Sequence, residues 1–283
     1  MITIGLLHST IRGDEKLILE AAKKRNVLVE LIDIRRSIYS EAQPTQRVDV
    51  ALERSVSTVK GLYAAHYYES KNIPVVNSTA VATICEDKFL TSLALAKANV
   101  PTIPFGMAFT VSELESLIKS IGGYPVVVKP PEGSWGRLLA KINDVDALEA
   151  VIEHKDVLGT PSHKAFYVQK YIQKKQGRDI RAFVINGHTI CAIYRNSPHW
   201  ITNTARGGVA SNCVVDRALE TICKNASHAV GGGILAMDVV ETKDGYVINE
   251  INHTMEFKNS EIPTKVSISG HIVDYCLQIV QAQ

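Results

Sequence analysis

The chain has 283 residues, of which 46% are hydrophobic and 21% are charged, a balance typical of a globular protein with a sizeable core. Its 31 basic and 29 acidic side chains leave a formal net charge of +2, which excludes a strong general attraction to nucleic acid or to an anionic membrane. No hydrophobic run is long enough to span a bilayer, so no membrane association is expected. Five cysteines without a CxxC pair, and an N-terminus without a basic leader, predict reduced thiols in a cytoplasmic protein.

The first part of the chain alternates between strand patterns and helix patterns. The strand patterns cover residues 2–7, 27–34, 48–53 and 73–77, and the helix patterns cover residues 17–24 and 60–70. Such alternation predicts a small parallel α/β domain, which we place at residues 1–85.

The remainder predicts two α+β lobes, residues 86–165 and 166–283, dominated by antiparallel sheet. Helix patterns cover residues 87–99, 147–154, 219–230 and 271–280, and strand patterns cover residues 124–129, 138–142, 166–172, 178–185, 188–194, 234–241 and 246–252. Asn186-Gly187 is the strongest short hairpin signal in the chain. A cleft between the two lobes is the expected ligand site.

Three oxygen-bearing side chains on the last predicted hairpin form a candidate Mg²⁺ site. Glu250 and Asn252 lie two apart, so they share one face of their strand. A three-residue loop, Lys243-Asp244-Gly245, places Asp238 directly opposite Glu250, whereas a two-residue Asp244-Gly245 turn pairs Asp238 with Ile251 instead. Hard oxygen ligands suit Mg²⁺, and the alternative is a solvated polar sheet face.

Lys129 ends an apolar strand and precedes a glycine-containing turn, residues 130–137. A lysine that leaves a buried strand beside glycines is well placed for a phosphate, because glycine lets backbone N–H groups approach the oxygens. Lys88 lies at a predicted helix start, where a bound anion is plausible. An edge lysine with a surface hairpin, and a solvated Lys88, are the alternatives.

Further along, the strand at residues 169–172 can offer backbone groups to an adenine edge. Asp179 and Arg181 alternate with apolar residues and share one strand face, which suits recognition of ribose and stabilisation of a transferring phosphoryl group. The polar loop at residues 199–208, with Arg195 before it, suits ligand binding. A buried strand and a surface ion pair are the alternatives.

Taken in chain order, these signals resemble the ATP-grasp superfamily of carboxylate–amine ligases. Within it the chain is similar to the RimK-like branch that joins amino acids to a LysW-type acidic amino-group carrier protein. The likeness covers essentially the whole chain and is most specific at residues 199–208 and 249–260. One departure is Glu86, which stands where this branch is expected to have glycine, and which we place outside the chemistry.

The resemblance implies an ATP-grasp fold, in which an N-terminal α/β domain precedes two lobes that enclose ATP, and it implies two Mg²⁺ ions and a homotetramer. The implied ATP-binding residues are Lys88, Lys129, Gly133, Ser134, Trp135, Gly136, Arg137, Gln169, Lys170, Tyr171, Ile172, Asp179, Arg181 and Asn203. The implied substrate residues are Arg195, Asn203, Thr204, Glu256, Phe257, Lys258, Asn259 and Ser260. The implied metal ligands are Asp238, Glu250 and Asn252, and Lys129 and Arg181 have the implied catalytic role.

The resemblance also implies the reaction. The C-terminal glutamate of the carrier would become an acyl phosphate, which the α-amine of α-aminoadipate would attack, in lysine biosynthesis. A glutamate-specific sister branch has Gly-Phe where this chain has Asn259-Ser260, so the resemblance favours α-aminoadipate. The alternatives are glutamate or dual specificity, a non-catalytic ATP-binding module, and glutamylation of a ribosomal protein.

Overall fold

A computed structural model describes residues 2–42, 45–133, 137–160, 164–202 and 207–282, and these residues form three sheets with flanking helices. None of the helices in these ranges is long and apolar enough to cross a membrane. The combination of one parallel and two antiparallel sheets confirms the predicted fold class.

The first sheet is parallel, as the alternation of strand and helix patterns predicts. Its strands have the order β2-β1-β3-β4, with β1 (Thr3–His8), β2 (Leu28–Asp33), β3 (Val50–Glu53) and β4 (Val75–Val76). The connecting helices are α1 (Gly13–Lys24) and α2 (Thr58–Ser70). The carboxyl ends of parallel strands lie at one edge of a sheet, so the loops after β1 and β3 meet there.

Two consecutive helices, α3 (Thr79–Glu86) and α4 (Lys88–Lys97), lead out of the first sheet. The carboxylate of Asp87 accepts the backbone N–H groups of Phe89 and Leu90 and thereby starts α4. The predicted helix at residues 87–99 is confirmed, whereas α3 was not predicted.

The middle sheet is antiparallel, with the strand order β5-β8-β6-β7. Its elements are β5 (Phe105–Ala108), α5 (Val111–Ser120), β6 (Val126–Lys129), β7 (Ala140–Ile142), α6 (Val145–Leu158) and β8 (Phe166–Lys170). Strand β8 follows the expected lobe boundary at residue 165, yet it hydrogen-bonds with β5 and β6 and therefore belongs to the middle sheet. The three-way division of the chain stays a prediction.

The last sheet is also antiparallel, with the strand order β11-β10-β9-β12-β13. Its elements are β9 (Arg178–Ile185), β10 (His188–Asn196), β11 (Val209–Cys213), α7 (Arg217–Val230), β12 (Ile234–Thr242), β13 (Gly245–Asn252), α8 (Glu261–Thr264) and α9 (Ile268–Gln281). The pairing of Ile185 with His188 confirms the hairpin at Asn186-Gly187, where both turn residues have positive φ.

One hydrophobic core joins the first sheet to the last. It contains Ile4 and Val50 from the first sheet, Phe183 and Ile234 from the last sheet, and Ile272 from α9, each at most 3% exposed. A separate core beneath the middle sheet is formed by β6, β8, α5 and α6. The middle sheet therefore packs as a unit of its own beside a larger body.

Candidate active site

One cavity in the described part of the chain is lined by residues of the middle and last sheets and by residues that follow strands of the first sheet. Most of the predicted site residues in the described ranges line it: Lys88, Lys129, Gly133, Arg137, Gln169, Lys170, Tyr171, Ile172, Asp179, Arg181, Arg195, Asp238, Glu250, Asn252 and Glu256. Ser134, Trp135, Gly136, Asn203 and Thr204 lie outside the residues that the structure describes. The sequence thus brings together groups that are more than a hundred residues apart.

Lys129 is a buried ammonium whose contacts are neutral. Alternation along β6 turns Val126 and Val128 into the core and Lys129 into the cavity. Its Nζ donates to Gln169 Oε1 and to Asn249 Oδ1, the latter at 3.2 Å. Burial lowers the pKa of Lys129 to about 8, against the opposing effect of Glu250. A buried cation with only amide partners is well suited to an anionic ligand.

Lys88 lies at the first turn of α4 and faces the same cavity. Its Nζ donates to Gly133 O at 2.6 Å, and its backbone N–H donates to Pro131 O at 3.0 Å. These bonds hold the start of the glycine-containing turn against α4. The ammonium is 45 residues from its carbonyl partner along the chain, so this contact connects the two predicted phosphate-binding features.

Tyr171 and Ile172, directly after β8, line the cavity, as do the apolar residues Val127, Leu139 and Val240. The ring centroids of Tyr171 and Trp200 are 6.3 Å apart, and Lys141 Nζ lies 3.9 Å from the Tyr171 ring. The Nζ of Lys170 is directed elsewhere, since it donates to Gly122 O and Gly123 O at 2.7 Å. Lys170 therefore lines the cavity, but its ammonium is bound to these carbonyl groups.

The hairpin that carries the candidate Mg²⁺ ligands Asp238, Glu250 and Asn252 differs from the expected one. Thr242 pairs with Gly245, so only Lys243 and Asp244 lie in the turn, and the expected three-residue loop is wrong. Asp238 nevertheless pairs with Glu250, because a β-bulge at Asn249 shifts the register by one residue.

The bulge also decides which side chains reach the cavity. Ile248 and Ile251 both belong to the core on the other side of the sheet, which regular alternation forbids for residues three apart. The extra residue reverses the alternation, so that Asn249 and Glu250 both line the cavity. Asp238, Glu250 and Asn252 therefore share one cavity, as predicted.

Asp238 is the centre of a buried ion network. Arg181 donates to both of its oxygens at 2.9 and 3.1 Å, and Arg195 Nη2 lies 2.9 Å from Oδ2. Burial acts to raise the pKa of Asp238, but Arg181 and Arg195 outweigh it and hold that pKa well below its usual range. A carboxylate has about four lone-pair sites, and three are used here, which leaves one on Oδ1.

Asp179 extends the network away from Asp238. Its Oδ1 accepts from Arg195 Nε at 2.8 Å, and its Oδ2 accepts from Lys174 Nζ at 2.8 Å and from the hydroxyl of Thr202. Asp179 and Arg195 are 3% and 2% exposed, which excludes the alternative of a surface ion pair. Both oxygens of Asp179 are occupied, so its main observable effect is to position Arg195 and Lys174.

The residues fit a bound Mg²⁺. Glu250 has no hydrogen-bond or ion-pair partner among the described residues, and Asn252 Nδ2 is buried there without one. No group of three His, Cys, Asp or Glu side chains that could hold a metal ion occurs within these ranges, and the candidate set offers two carboxylates and one amide oxygen. Mg²⁺ at such a site takes its remaining ligands from waters and phosphates, as it commonly does.

Some expected substrate residues lie away from the cavity. After Glu256 the chain turns inward, and Phe257 enters the core while the N–H groups of Phe257 and Lys258 donate to Asp14 Oδ1. Ser260 is 3% exposed, and Asn259 faces solvent. In the described parts of the chain, Phe257, Lys258, Asn259 and Ser260 do not line the cavity.

Other lining residues were not predicted. Arg12 follows β1, Ser55 and Val56 follow β3, and Thr58 begins α2; a parallel sheet brings these parts of the chain together at its carboxyl edge. Glu86 also lines the cavity, and its expected place outside the chemistry stays a prediction. Burial raises the pKa of Glu86, and the carboxylates of Glu132 and Glu250 act in the same direction.

Comparisons with known proteins agree with this geometry. Residues 4–84 match the LysX preATP-grasp domain, and residues 85–276 match the RimK-like ATP-grasp domain. Glutamate–LysW ligase ArgX of Sulfurisphaera tokodaii is 34% identical over 96% of this chain and 97% of its own length. Alpha-aminoadipate–LysW ligase LysX of Saccharolobus solfataricus is 32% identical over 95% of this chain and 99% of its own.

A solved structure gives the same result at the level of the fold. The crystal structure of a RimK domain ATP-grasp protein from Sphaerobacter thermophilus superposes with a TM-score of 0.81, at 27% identity, over 96% of this chain and 98% of that one. The fold and the cavity together define an ATP-dependent carboxylate–amine ligase. The chain belongs to the RimK-like ATP-grasp family and carries a LysX-type preATP-grasp domain.

Proposed function

We propose that the protein joins the α-amine of α-aminoadipate to the γ-carboxylate of the C-terminal glutamate of a LysW-type carrier protein, at the expense of ATP, in lysine biosynthesis. The observation that carries this proposal is the buried Lys129, which faces Asp238, Glu250 and Asn252 across one cavity. Relatives named as LysW ligases, similar over nearly their full length, support the choice of carrier.

In the proposed first step, an oxygen of the carrier carboxylate attacks the γ-phosphorus of ATP, and the bond to the bridging oxygen of ADP breaks. This gives an acyl phosphate. The ammonium of Lys129 and the guanidinium of Arg181 stabilise the negative charge on the phosphoryl oxygens in a low-dielectric cavity. Asp238, Glu250 and Asn252 would hold two Mg²⁺ ions, which supply further positive charge and orientation for the phosphates.

In the second step, the neutral α-amine attacks the acyl carbon, the bond to the phosphate oxygen breaks, and an amide and inorganic phosphate form. The amine releases one proton. No covalent bond to the protein is needed, so the contribution of the chain is positioning and electrostatics. We place the reaction in the cytoplasm, because all five cysteines are buried free thiols.

Asn259-Ser260 supports α-aminoadipate over glutamate, since the resemblance implies Gly-Phe at these positions in the glutamate-specific branch. Because Ser260 is buried, this pair would act by shaping the segment after Glu256. Glutamate is the second candidate, supported by the relative named Glutamate–LysW ligase ArgX at 34% identity.

The test is ligation by the purified protein of α-aminoadipate or glutamate to a LysW carrier, with ATP and Mg²⁺, followed by mass spectrometry of the carrier and by ADP release. We expect an α-aminoadipate adduct, and a smaller amount of glutamate adduct. Preference for glutamate would overturn the substrate assignment, and ADP release without any adduct would overturn the carrier assignment. Replacing Asn259-Ser260 by Gly-Phe is expected to move the preference toward glutamate.

A further inference from the structure

A pair of arginines from the first sheet lies beside the active-site cavity. Arg12 follows β1 and lines the cavity, and Arg54 follows β3 and is 3% exposed. The two loops meet at the carboxyl edge of the parallel sheet, between β1 and β3, which is where open α/β sheets bind ligands. Neither arginine has a role in the activity derived above.

One buried carboxylate serves both arginines. Glu15, fully buried in α1, accepts the backbone N–H of Arg12 at 2.9 Å and the Nε and Nη2 of Arg12 at 3.0 and 2.9 Å. It also accepts Arg54 Nε at 3.1 Å. These bonds use about all the lone-pair sites of a carboxylate. Glu15 is thus fully occupied by the two guanidinium groups, and the carboxyl groups of Asp14 and Glu53 lie near Arg12 and Arg54.

Glu256 occupies the remaining edge of the Arg12 guanidinium only loosely. Its Oε1 lies 3.2 Å from Arg12 Nη1, and its side chain is 40% exposed, so the pair is open to solvent on the cavity side. Arg54 Nη2 is buried and has no hydrogen-bond partner within the described ranges.

We propose that Arg12, held in place by Glu15 and Arg54, binds a carboxylate group of a ligation substrate, which takes the place of Glu256 on Arg12 Nη1. The proposal rests on the proposed function, in which both the amino acid and the carrier tail bring carboxylates that do not react. The Glu256 carboxylate marks the position and the chemistry of the ligand that replaces it.

The geometry favours a carboxylate over the phosphates of the nucleotide. The lysines suited to phosphate, Lys88 and Lys129, come from α4 and the middle sheet, whereas Arg12 shares its side of the cavity with Ser55 and Thr58. The planar Arg12 fork is already fixed on one edge by Glu15, so little rotamer freedom is lost when a ligand binds the other edge.

The test compares Arg12→Lys with the matched control Arg25→Lys. Arg25 lies directly after α1 and pairs bidentately with Asp274, with N–O distances of 2.6 and 2.9 Å, away from the cavity. For each variant we would measure KM for α-aminoadipate, KM for glutamate, KM for the LysW carrier, and Kd for ADP with Mg²⁺.

Arg12→Lys is expected to raise at least one KM by about tenfold or more, the size of a lost charged hydrogen bond, with Kd for ADP within about twofold. A rise for the amino acid assigns the site to the free substrate, and a rise for the carrier assigns it to the carrier tail. Unchanged values of KM, or an equal loss of ADP affinity, would overturn the proposal.

Glu256→Gln gives a second test that does not depend on the folding of the Arg12 variant, because this side chain is half-exposed. Glu256→Gln removes the carboxylate that competes with the substrate for Arg12. The same KM that Arg12→Lys raises is therefore expected to fall in Glu256→Gln, and a rise in it would overturn the proposed displacement of Glu256. If the wild type forms no carrier adduct, the proposed function fails. In that case the subsite is tested by calorimetry with α-aminoadipate and glutamate. Binding that is retained in Arg25→Lys and lost in Arg12→Lys would still support the subsite, whereas no binding to the wild type would overturn the subsite.

Discussion

At the scale of single residues, Lys129 shows how burial prepares a group for its ligand. A lysine that contacts only amide oxygens and has lost most of its water holds its proton weakly in the free protein. The same ammonium gains a strong partner when a phosphate enters. The electrostatic free energy that Lys129 lacks in the free protein is therefore gained when the nucleotide binds.

This predicts a pH dependence of nucleotide affinity. Below a pH of about 8 Lys129 is charged before and after binding, so Kd for ADP is flat. Above that pH the free protein loses the proton and binding must take it up again, so affinity falls by up to about tenfold per pH unit. Calorimetry between pH 7.5 and about 9.5 checks this. Lys129→Gln is the control, and an equal slope in this variant would assign the effect to another group.

Glu250 and Asp238 are expected to differ on substitution, although both are proposed to bind Mg²⁺. Glu250→Gln removes a carboxylate that has no partner among the described residues, so kcat should fall by about a hundredfold or more with an unchanged Tm. Asp238→Asn also takes a charge away from the buried Arg195, which should cost about 3 kcal/mol of unfolding free energy. Steady-state kinetics and urea denaturation separate the two effects, and a near-normal kcat in Glu250→Gln would refute the metal assignment.

The site residues that the sequence predicted are those marked by their immediate neighbours in the chain. Lys129 was found because an apolar strand ends at it and glycines follow, and Asp238 and Glu250 were found because their hairpin is short. Arg12 was missed, since nothing near it in the sequence distinguishes it from a surface arginine. Its proposed role depends on Arg54 and Glu256, which lie 42 and 244 residues away.

At the scale of elements, the bulge in β13 places two neighbouring residues in the cavity. Asn249 accepts a hydrogen bond from Lys129, and its carbonyl lies 3.5 Å from Gln169 Nε2. A regular strand would direct only one of Asn249 and Glu250 to that side. The bulge therefore connects Lys129 of the middle sheet to the candidate Mg²⁺ ligands of the last sheet.

Asn249→Ala should weaken nucleotide binding by about tenfold, because Lys129 loses one of its two acceptors and is less well positioned. The Tm should change little, since the backbone bulge remains. The control is Asn212→Ala, on the exposed edge strand β11. Equal values of Kd for ADP in both variants would show that the bulge acts through its backbone alone.

Element prediction succeeded where a local signal was strong and failed where the shape came from packing. Asn186-Gly187 defines its turn by two residues that tolerate positive φ. Strand β5 was missed, because Phe105-Gly106-Met107-Ala108 shows no alternation and forms a strand only through pairing with β8. The bulge was missed for the same reason, since no residue type near Asn249 indicates a bulge.

At the scale of the whole molecule, Asn77 joins the first sheet to the last. Its Nδ2 donates to Ile234 O at 2.8 Å and to His253 O at 2.6 Å, and its Oδ1 accepts from Ile234 N at 2.6 Å. Asn77 is 6% exposed, so these three backbone groups have little access to water. One amide thereby fixes the start of β12 and the chain directly after β13.

Asn77→Ala should lower the unfolding free energy by about 3 kcal/mol or more, because it leaves buried backbone groups without partners. Urea denaturation measures the loss, and Asn143→Ala, an exposed residue, should stay within about 0.5 kcal/mol of the wild type. A loss as small as that of the control would mean that the first and last sheets are held together by the hydrophobic core alone.

The shared core has a consequence for recombination within this family. Residues of β1 and β3 pack against β9, β12 and α9, so the shapes of the N-terminal portion and of the last helix must match for this core to be filled. A chimera that takes residues 2–76 from a relative should fold well only when α9 comes from the same parent. Exchange of the middle sheet, which has its own core, should disturb this shared core least.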